Sequence, residues 1–414
     1  MKNVLVIDLD ETLTQSNMLH ETFWSAFSKD WKIPMKSLVW LLNGKANLKS
    51  NLSLSSDVNV KNLPYNKSVI NYIKRHRKKG GYTALVTASN EAIAKKIAKY
   101  LNLFDEVKGS TKKLNLKGNS KAKFLKKRFG FKNYDYMGDS LIDLPIWKNA
   151  NKAITVNANP NIIKACEKIN SNYQNLKAKS SEDNFLNYIK TIRSYQWIKN
   201  ILVFVPMLAA HQITTHNLIN SFLAFIAFCL IASSVYIVND LLDLNADRVH
   251  PDKSLRPFAS GAMPIKNGLV IFSTLFLAGV TLSFFIGFYF LALIFVYYIL
   301  TFAYSIILKN KVIVDIFILG IFYTLRIIAG GFATGIQISF WLLGFSLFFF
   351  LSLAAVKRQS ELVNLKNKKK LKIIGRGYRV SDLSMVSMIT LSSGFISILV
   401  AGFYINSLSA ITLY

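Results

Sequence analysis

The stretch NDLLDLNADRVHPDKSLRP, Asn239 to Pro257, decides how the rest of this chain is read. Asp240, Asp243 and Asp247 are spaced so that on one helix their carboxylates fall near one face, with Asn239 a turn before Asp243. The run ahead of them, Phe222 to Val238, is apolar enough for a membrane. Directly after them come Arg248, His250, Lys253 and Arg256, in a loop punctuated by Pro251 and Pro257. Carboxylates gathered at the mouth of an apolar helix are costly unless they hold a cation. The adjoining cations suit a phosphorylated ligand, and a magnesium–diphosphate site is the simplest object that calls for both. The plainer alternative is a helix end with a solvated, mixed-charge loop. Three acids in helical register at a membrane boundary weigh against it.

Away from this stretch the composition divides. At 414 residues the chain exceeds one typical domain. Its first part, to about residue 190, alternates short apolar runs with charge, as soluble α/β domains do. From about Trp197 the chain becomes apolar, aromatic and poor in charge. A formal net charge of +29 would point to nucleic acid if it formed one patch, and its placement argues otherwise. Cys166 and Cys229 fit no metal or redox spacing, so free thiols in a reducing compartment are expected. The opening residues, Met1 to Asp8, read as a buried strand ending in an acid rather than an export signal.

Val4 to Ile7 reads as a parallel-sheet strand. It delivers Asp8-Leu9-Asp10-Glu11-Thr12 to its carboxyl end, where open α/β sheets place their active sites. Helices are predicted over Val69–Lys79, Glu91–Leu101 and Gly118–Phe129, the last with Lys121 near its start. Further strands are predicted over Tyr82–Val86, followed by Thr87-Ala88-Ser89, over Tyr134–Met137, which runs into Gly138-Asp139-Ser140-Leu141-Ile142-Asp143, and over Ala153–Val156. These residue types make a coherent phosphate chemistry. A carboxylate nucleophile needs a metal to offset its repulsion from a phosphate, and an acid two residues on can protonate the leaving oxygen. A hydroxyl and a lysine can hold phosphoryl oxygens, and more carboxylates complete a metal shell. Residues 157–181 read as a polar connector. Residues 182–199, where Phe185, Ile189, Ile192, Tyr195 and Trp197 alternate with Lys190, Arg193 and Lys199, suit an amphipathic helix at a membrane surface or a plain linker helix.

Across about residues 1–160 the chain resembles the haloacid dehalogenase superfamily of phosphohydrolases. The motifs are DxDxT at Asp8 to Thr12, the strand-end Thr87, Lys121, and GDSxxD at Gly138 to Asp143, all in order. The resemblance implies a Rossmann-like α/β fold with Asp8 as nucleophile and Asp10 as acid and base. It implies Thr87 and Lys121 as the groups holding the phosphoryl oxygens, and Mg2+ surrounded by Asp8, Asp10, Asp139 and Asp143. The insert over about residues 15–64 would be a small helical cap, its Phe23, Trp24, Trp31, Trp40 and Leu41 serving as core or membrane-facing packing.

Seven segments in the second half are apolar over a length that can cross about 30 Å of hydrocarbon. They run approximately 198–213, 219–241, 267–287, 288–305, 312–333, 338–356 and 384–405. Short polar turns at Thr214-Thr215, around Gly287 and at Gly335-Ile336-Gln337 mark one side, and loops around 242–266, 306–311 and 357–383 mark the other. Every lysine and arginine after Lys199 lies in or beside those three loops, except Arg326. This positive-inside asymmetry predicts a multi-pass protein with the α/β domain and all three loops in the cytoplasm. The basic excess is then membrane-face and phosphate-ligand charge, and no nucleic acid is expected as a partner. Arg326 sits deep enough in its segment to face the bundle interior, either as a ligand contact or as part of a buried ion pair holding two helices. Lys357 and Arg358 are ligand contacts or snorkelling residues at a helix end.

Over roughly residues 190–414 the chain resembles the UbiA superfamily of intramembrane transferases, within it the polyprenyl-phosphate phosphoribosyltransferase branch. The matching features are the NDxxDxxxD box at Asn239 to Asp247, Gln196-Trp197-Ile198-Lys199-Asn200, Asp247-Arg248 through Lys253, Arg256-Pro257, Tyr304-Ser305 with Lys309 and Asp315, Arg326, and Lys357-Arg358 with Glu361. The resemblance implies an all-α transmembrane bundle fused to the α/β domain, in a bacterial-type inner membrane. Its reaction is transfer of phosphoribose from phosphoribosyl diphosphate to a polyprenyl phosphate. It implies Asn239, Asp240, Asp243 and Asp247 as the metal-holding set for Mg2+, and Lys199, Lys253, Arg256, Tyr304, Lys309, Arg326, Lys357 and Arg358 as substrate-binding. The implied domain boundaries are 1–160 for the phosphatase-like domain, 161–197 for a linker and interfacial helix, and 198–414 for the membrane domain. That fold normally has nine spans, so the membrane domain is expected to be short at its carboxyl end. Two alternatives stay open: prenyl transfer to an aromatic acceptor, and a membrane-anchored phosphatase with an inactive transferase half.

Overall fold

The computed structural model describes residues 3–112, 114–176, 184–369, 371, 376–405 and 407. The chain divides into two compact units whose boundary does not follow sequence order. The first joins Met1–Thr191 to Asp240–Gly268, and the second joins Ile192–Asn239 to Leu269–Tyr414.

The first unit opens with β1 (Val4–Ile7), followed by the tight turn through Asp8–Thr14. Three helices follow as the expected cap: α1 (Met18–Phe27), α2 (Ile33–Leu42) and α3 (Lys45–Ser55). After α4 (Lys67–Lys78) the chain alternates β2 (Tyr82–Asn90), α5 (Glu91–Leu101), β3 (Glu106–Ser110), α6 (Asn119–Phe129), β4 (Tyr134–Gly138), α7 (Leu144–Asn149), β5 (Lys152–Val156), α8 (Pro160–Ile169) and β6 (Tyr173–Leu176). All strand pairs are parallel, in the order β3-β2-β1-β4-β5-β6, so β1 lies at the centre of a Rossmann-like sheet. The unbroken apolar run of β1 is explained by burial on both faces. Leu5 and Ile7 pack with Leu85, Met137 and Ile154 on one side, and Val6 packs with Ala84, Val86 and Tyr136 on the other. Each such side chain contributes roughly 1.5–3 kcal/mol when fully buried.

The sheet corrects one expected boundary. The α/β domain does not end at residue 160, because α8 and β6 extend it to Leu176, with β6 paired in register from Tyr173 to Leu176. Residues 177–183, the end of the expected connector and the first two residues of the expected amphipathic stretch, lie outside the described residues. Beyond them, α9 (Asn184–Ile192) occupies the region read as amphipathic.

In the second unit the chain passes through a 3-10 run, Ser194–Phe204, and the short α10 (Val205–Ala209). The 3-10 run lies close against a later helix at Gly330, where an added Cβ would meet the Val203 carbonyl oxygen at 2.0 Å. Then come α11 (Thr215–Leu242), α12 (Leu244–Val249), α13 (Pro257–Ser260), α14 (Ile265–Ile286), α15 (Phe288–Ile306), α16 (Val314–Thr334), α17 (Phe340–Asn367) and α18 (Leu383–Ile405). Of these, α12 and α13 belong wholly to the first unit, as does the last turn of α11. Among the described residues, 6 helices are long and apolar enough to cross a membrane: α11, α14, α15, α16, α17 and the helical stretch ending in α18. They cover six of the seven expected segments. The first expected segment, 198–213, is the 3-10 run and α10.

Candidate functional sites

In the α/β unit, chemistry gathers at the carboxyl ends of β1, β2 and β4. Asp8 sits where β1 ends. One of its oxygens accepts from the Leu9 amide at 2.8 Å, and the other from Lys121 Nζ at 2.7 Å. The Lys121 and Asp8 side chains are 2% and 12% exposed, so each depends on the other for its charge. Lys121 also donates to the Tyr136 hydroxyl at 3.0 Å, and that hydroxyl lies 3.3 Å from Asp8 and 3.0 Å from Asp143. Its single proton can serve only one carboxylate at a time.

One oxygen from each of Asp8, Asp139 and Asp143 lies within 4.8 Å of the others, the one such acidic group among the described residues. Gly138 permits this geometry: a Cβ there would stand 2.6 Å from Asp143 Oδ2. Burial, with Asp8 and Asp143 nearby, pushes the Asp139 carboxyl up to about 8. Burial and Asp8 also raise Asp143. Carboxylates that resist ionising together are what a divalent cation relieves, so the donor set fits Mg2+.

The fourth expected metal ligand, Asp10, is not in this group. Its carboxylate turns the other way, accepting from the Met18 amide at 2.7 Å and the Ser89 hydroxyl at 2.6 Å. The physical reason is the start of α1, whose first amides lack helical partners and attract a carboxylate. Burial and the Asp8 charge push Asp10 up to about 6, a range suited to giving and taking a proton. Thr87, expected just past a strand ending at Val86, is fully buried inside β2, which continues to Asn90, and its hydroxyl accepts from the Ser89 amide at 3.0 Å. Sequence reasoning missed Tyr136, Ser89 and Lys49. Lys49, on cap helix α3, donates to the Ala88 carbonyl at 2.6 Å, and burial lowers its ammonium pKa.

The acidic stretch does not form the single helix face expected of it. Helix α11 ends at Leu242 and α12 starts at Leu244, with Asp243 at the junction making no side-chain cap bond, and the break redirects Asp247. Asp240 and Asp247 converge on Arg256, whose Nη1 lies 3.0 Å from one and 2.6 Å from the other. A guanidinium therefore bridges two carboxylates that the sequence reading gave to a metal. Burial raises Asp247 despite this partner. Lys253 is exposed, with its amide donating to His250 Nδ1 at 3.3 Å.

Arg248, the residue after Asp247, turns away from the acids toward the cap. Its Nη1 and Nη2 donate to Glu21 at 3.0 and 2.6 Å, and its Nε to the Ala259 carbonyl at 3.1 Å. Asn245 donates to the Ser25 hydroxyl at 3.3 Å and the Asp57 carbonyl at 3.2 Å. These contacts join α12 to the cap.

Within the second unit, Asn239 Oδ1 is buried with no hydrogen-bond partner among the described residues, an orphaned acceptor beside the acidic stretch in sequence. Arg326 is buried and fully engaged. It donates to Asn200 at 2.7 Å, to Tyr297 at 3.3 Å and to the Phe322 carbonyl, and its guanidinium lies over the rings of Phe228, Tyr297 and Tyr323. All of these partners are neutral, so the buried ion pair expected as one of its two roles is not formed among the described residues. Asp315 is completely buried among Arg358 at 2.7 Å, Arg376 at 2.6 Å and the Tyr304 hydroxyl at 2.7 Å. Arg358 also pairs with Glu361 and lies over the Tyr378 ring. Arg376 was not singled out from sequence; its one signal is a place in the third basic loop. Lys199 lies half-buried on the 3-10 run, Lys309 partly buried in the turn after α15, and Lys357 exposed on α17. An apolar cleft of about 340 Å³ between α10, the α16–α17 turn and α18 is lined by none of these charged residues.

Residues 201–413 match the UbiA prenyltransferase family. The chain is 34% identical to "Uncharacterized protein y4nM" of Sinorhizobium fredii, over 96% of this chain and 77% of that protein. It is 37% identical to decaprenyl-phosphate phosphoribosyltransferase of Corynebacterium glutamicum, over 42% of this chain and 54% of that enzyme. A substrate-bound phosphoserine phosphatase structure, 17% identical, covers 46% of this chain and 97% of its own at a TM-score of 0.31, a likeness of outline only.

Proposed function

Because the chain belongs to the UbiA prenyltransferase family, we propose that its membrane half transfers 5-phosphoribose from phosphoribosyl diphosphate to a polyprenyl phosphate, and that its α/β half then removes the 5-phosphate. The kinship with decaprenyl-phosphate phosphoribosyltransferase supports the choice of donor and acceptor. The positive-inside pattern supports placing the α/β half and the three loops on the cytoplasmic face of a bacterial-type inner membrane.

In the transfer step, Asp240, Asp243 and Asp247 would hold Mg2+, which offsets the charge building on the departing diphosphate. Arg256 bridges Asp240 and Asp247 through one nitrogen and is the group able to exchange those carboxylates for diphosphate oxygens. In the hydrolytic step, Asp8 attacks phosphorus and the ester oxygen departs with the proton of Asp10. Water then gives a proton back to Asp10 and displaces phosphate from Asp8. Lys121 holds Asp8 and is in reach of a phosphoryl oxygen bound there, while Asp139 and Asp143 are the cation ligands.

One observation carries the coupling of the two steps: the buried Glu21–Arg248 pair ties the cap of the hydrolytic site to the acidic transfer segment. The test supplies full-length protein with phosphoribosyl diphosphate and a polyprenyl phosphate and follows lipids by mass spectrometry. A lipid-linked pentose without its 5-phosphate is expected. If no lipid-linked pentose forms, the transfer reading fails; if it forms and keeps its 5-phosphate, only the coupled hydrolysis fails.

A further inference from the structure

Helix α2 has two unlike faces. Ile33 and Trp40 turn inward to the small cap core with Ala26 and Leu52. The opposite face carries Met35, Leu38, Val39 and Leu42, 69%, 66%, 58% and 87% exposed, with Trp31 just ahead of the helix 59% exposed. Their spacing is helical, so they form one continuous apolar stripe left uncovered by the other described residues of its unit. Isolated exposed apolar residues are ordinary, but a stripe of this kind marks a docking face.

Two observations identify what covers it. Lys32, Lys36 and Lys45 stand along the stripe against one acid, Asp30, which pairs with Lys36 at 2.6 Å, so the rim keeps a net positive charge. The cap also belongs to the same compact unit as the last turn of α11, a membrane-spanning helix, so the polypeptide itself keeps it at a bilayer. A ten-residue helix is about 15 Å long, too short to cross and long enough to lie flat.

We propose that α2 is a monotopic membrane contact: its apolar stripe enters the headgroup–acyl boundary of an anionic bilayer, and its lysines pair with lipid phosphates. The contact brings the mouth of the Asp8 site to the depth of a lipid headgroup. Its role in hydrolysing a lipid-linked substrate rests on the function proposed above; the contact itself does not.

The test uses the full-length Leu38→Cys protein carrying an environment-sensitive dye, in nanodiscs of phosphatidylcholine and phosphatidylglycerol with or without a shallow doxyl-labelled lipid. The native Cys166 and Cys229 are both buried, and mock-labelled parent protein gives the background. Quenching of about twofold or more is expected at position 38, weaker in discs lacking phosphatidylglycerol, and absent from a dye on Lys127→Cys, exposed on α6. A dye left unquenched in a water-like environment overturns the proposal, as does burial against a second copy, detected by a disulfide between two Leu38→Cys chains. In a second arm, Leu38→Glu with Leu42→Glu should slow hydrolysis of the lipid-linked 5-phosphate about tenfold while leaving p-nitrophenyl phosphate hydrolysis unchanged. Equal loss on both substrates overturns the membrane role. If the parent protein fails to hydrolyse the lipid substrate, the function proposed above falls while the quenching arm still decides this one.

Discussion

Glu21 and Arg248, 227 residues apart, form a two-pronged ion pair whose side chains are 2% and 3% exposed. Ser16 also donates to Glu21, and Arg248 reaches the Ala259 carbonyl, so each charge has further partners. Removing one partner of such a pair strands the other, at a cost of about 3–5 kcal/mol. Glu21→Gln and Arg248→Met should each lower the melting temperature of the full-length protein by several degrees. The double variant should cost less than the two single losses added. Strict additivity would mean the pair carries no coupling.

Asp8→Asn should reduce phosphate-ester hydrolysis by roughly a thousandfold, since the attacking oxygen is lost, and leave lipid transfer intact. Asp243→Asn should do the reverse. Parallel assays of p-nitrophenyl phosphate hydrolysis and lipid-linked pentose formation separate the two. Loss of both activities in either variant would contradict the assignment of two sites.

Mg2+ binding at Asp8, Asp139 and Asp143 should depend on pH. Without a cation, burial and the neighbouring carboxylates hold Asp139 at about 8, so near pH 7 it carries a proton that the ion must displace. A group protonated below its pKa resists the cation there and releases it from competition above. Apparent affinity should therefore climb up to about tenfold per pH unit between pH 6 and 8 and then level off. Calorimetry in two buffers of unlike ionisation enthalpy, with Asp243→Asn in place to silence the acidic stretch, should report proton release. A pH-independent affinity with no proton release would refute this.

Around Asp315 the two arginines should not be equivalent. Arg358 is wholly buried and Arg376 is 25% exposed, so water can replace the second far more cheaply than the first. Arg358→Ala should cost about 3–5 kcal/mol and Arg376→Ala clearly less, read as melting temperatures in the same detergent. An equal or inverted order would show that the loop carrying Arg376 matters more than its charge.

What the sequence disclosed follows burial. The strands β1, β2, β4 and β5 were legible because their runs are apolar on both faces. The edge strands β3 and β6 read Glu-Val-Lys-Gly-Ser and Tyr-Gln-Asn-Leu; being covered on fewer sides, they need no apolar run and leave no pattern. The acids around Asp8 were visible as strand-end motifs, whereas Tyr136, inside a strand, looked like core. The acidic helix face is not continuous, because helical spacing does not reveal that one helix stops at Leu242 and another starts at Leu244. Glu21 and Arg248 carry no mark of each other. Ion pairs across such separations belong to the fold, not to any local pattern.

The partition of the chain also has a consequence for its inheritance. The segment Asp240–Gly268 lies between spanning helices in sequence, yet it folds with the first 191 residues. A gene fusion that simply placed a soluble enzyme ahead of a membrane one could be undone by cutting the connector. Here the cut would leave Arg248 and Asn245 facing a surface with their partners gone. Recombination at the connector always draws the Glu21 and Arg248 surfaces from different parents, so it should yield a folded chimera only when the two parents carry matching surfaces.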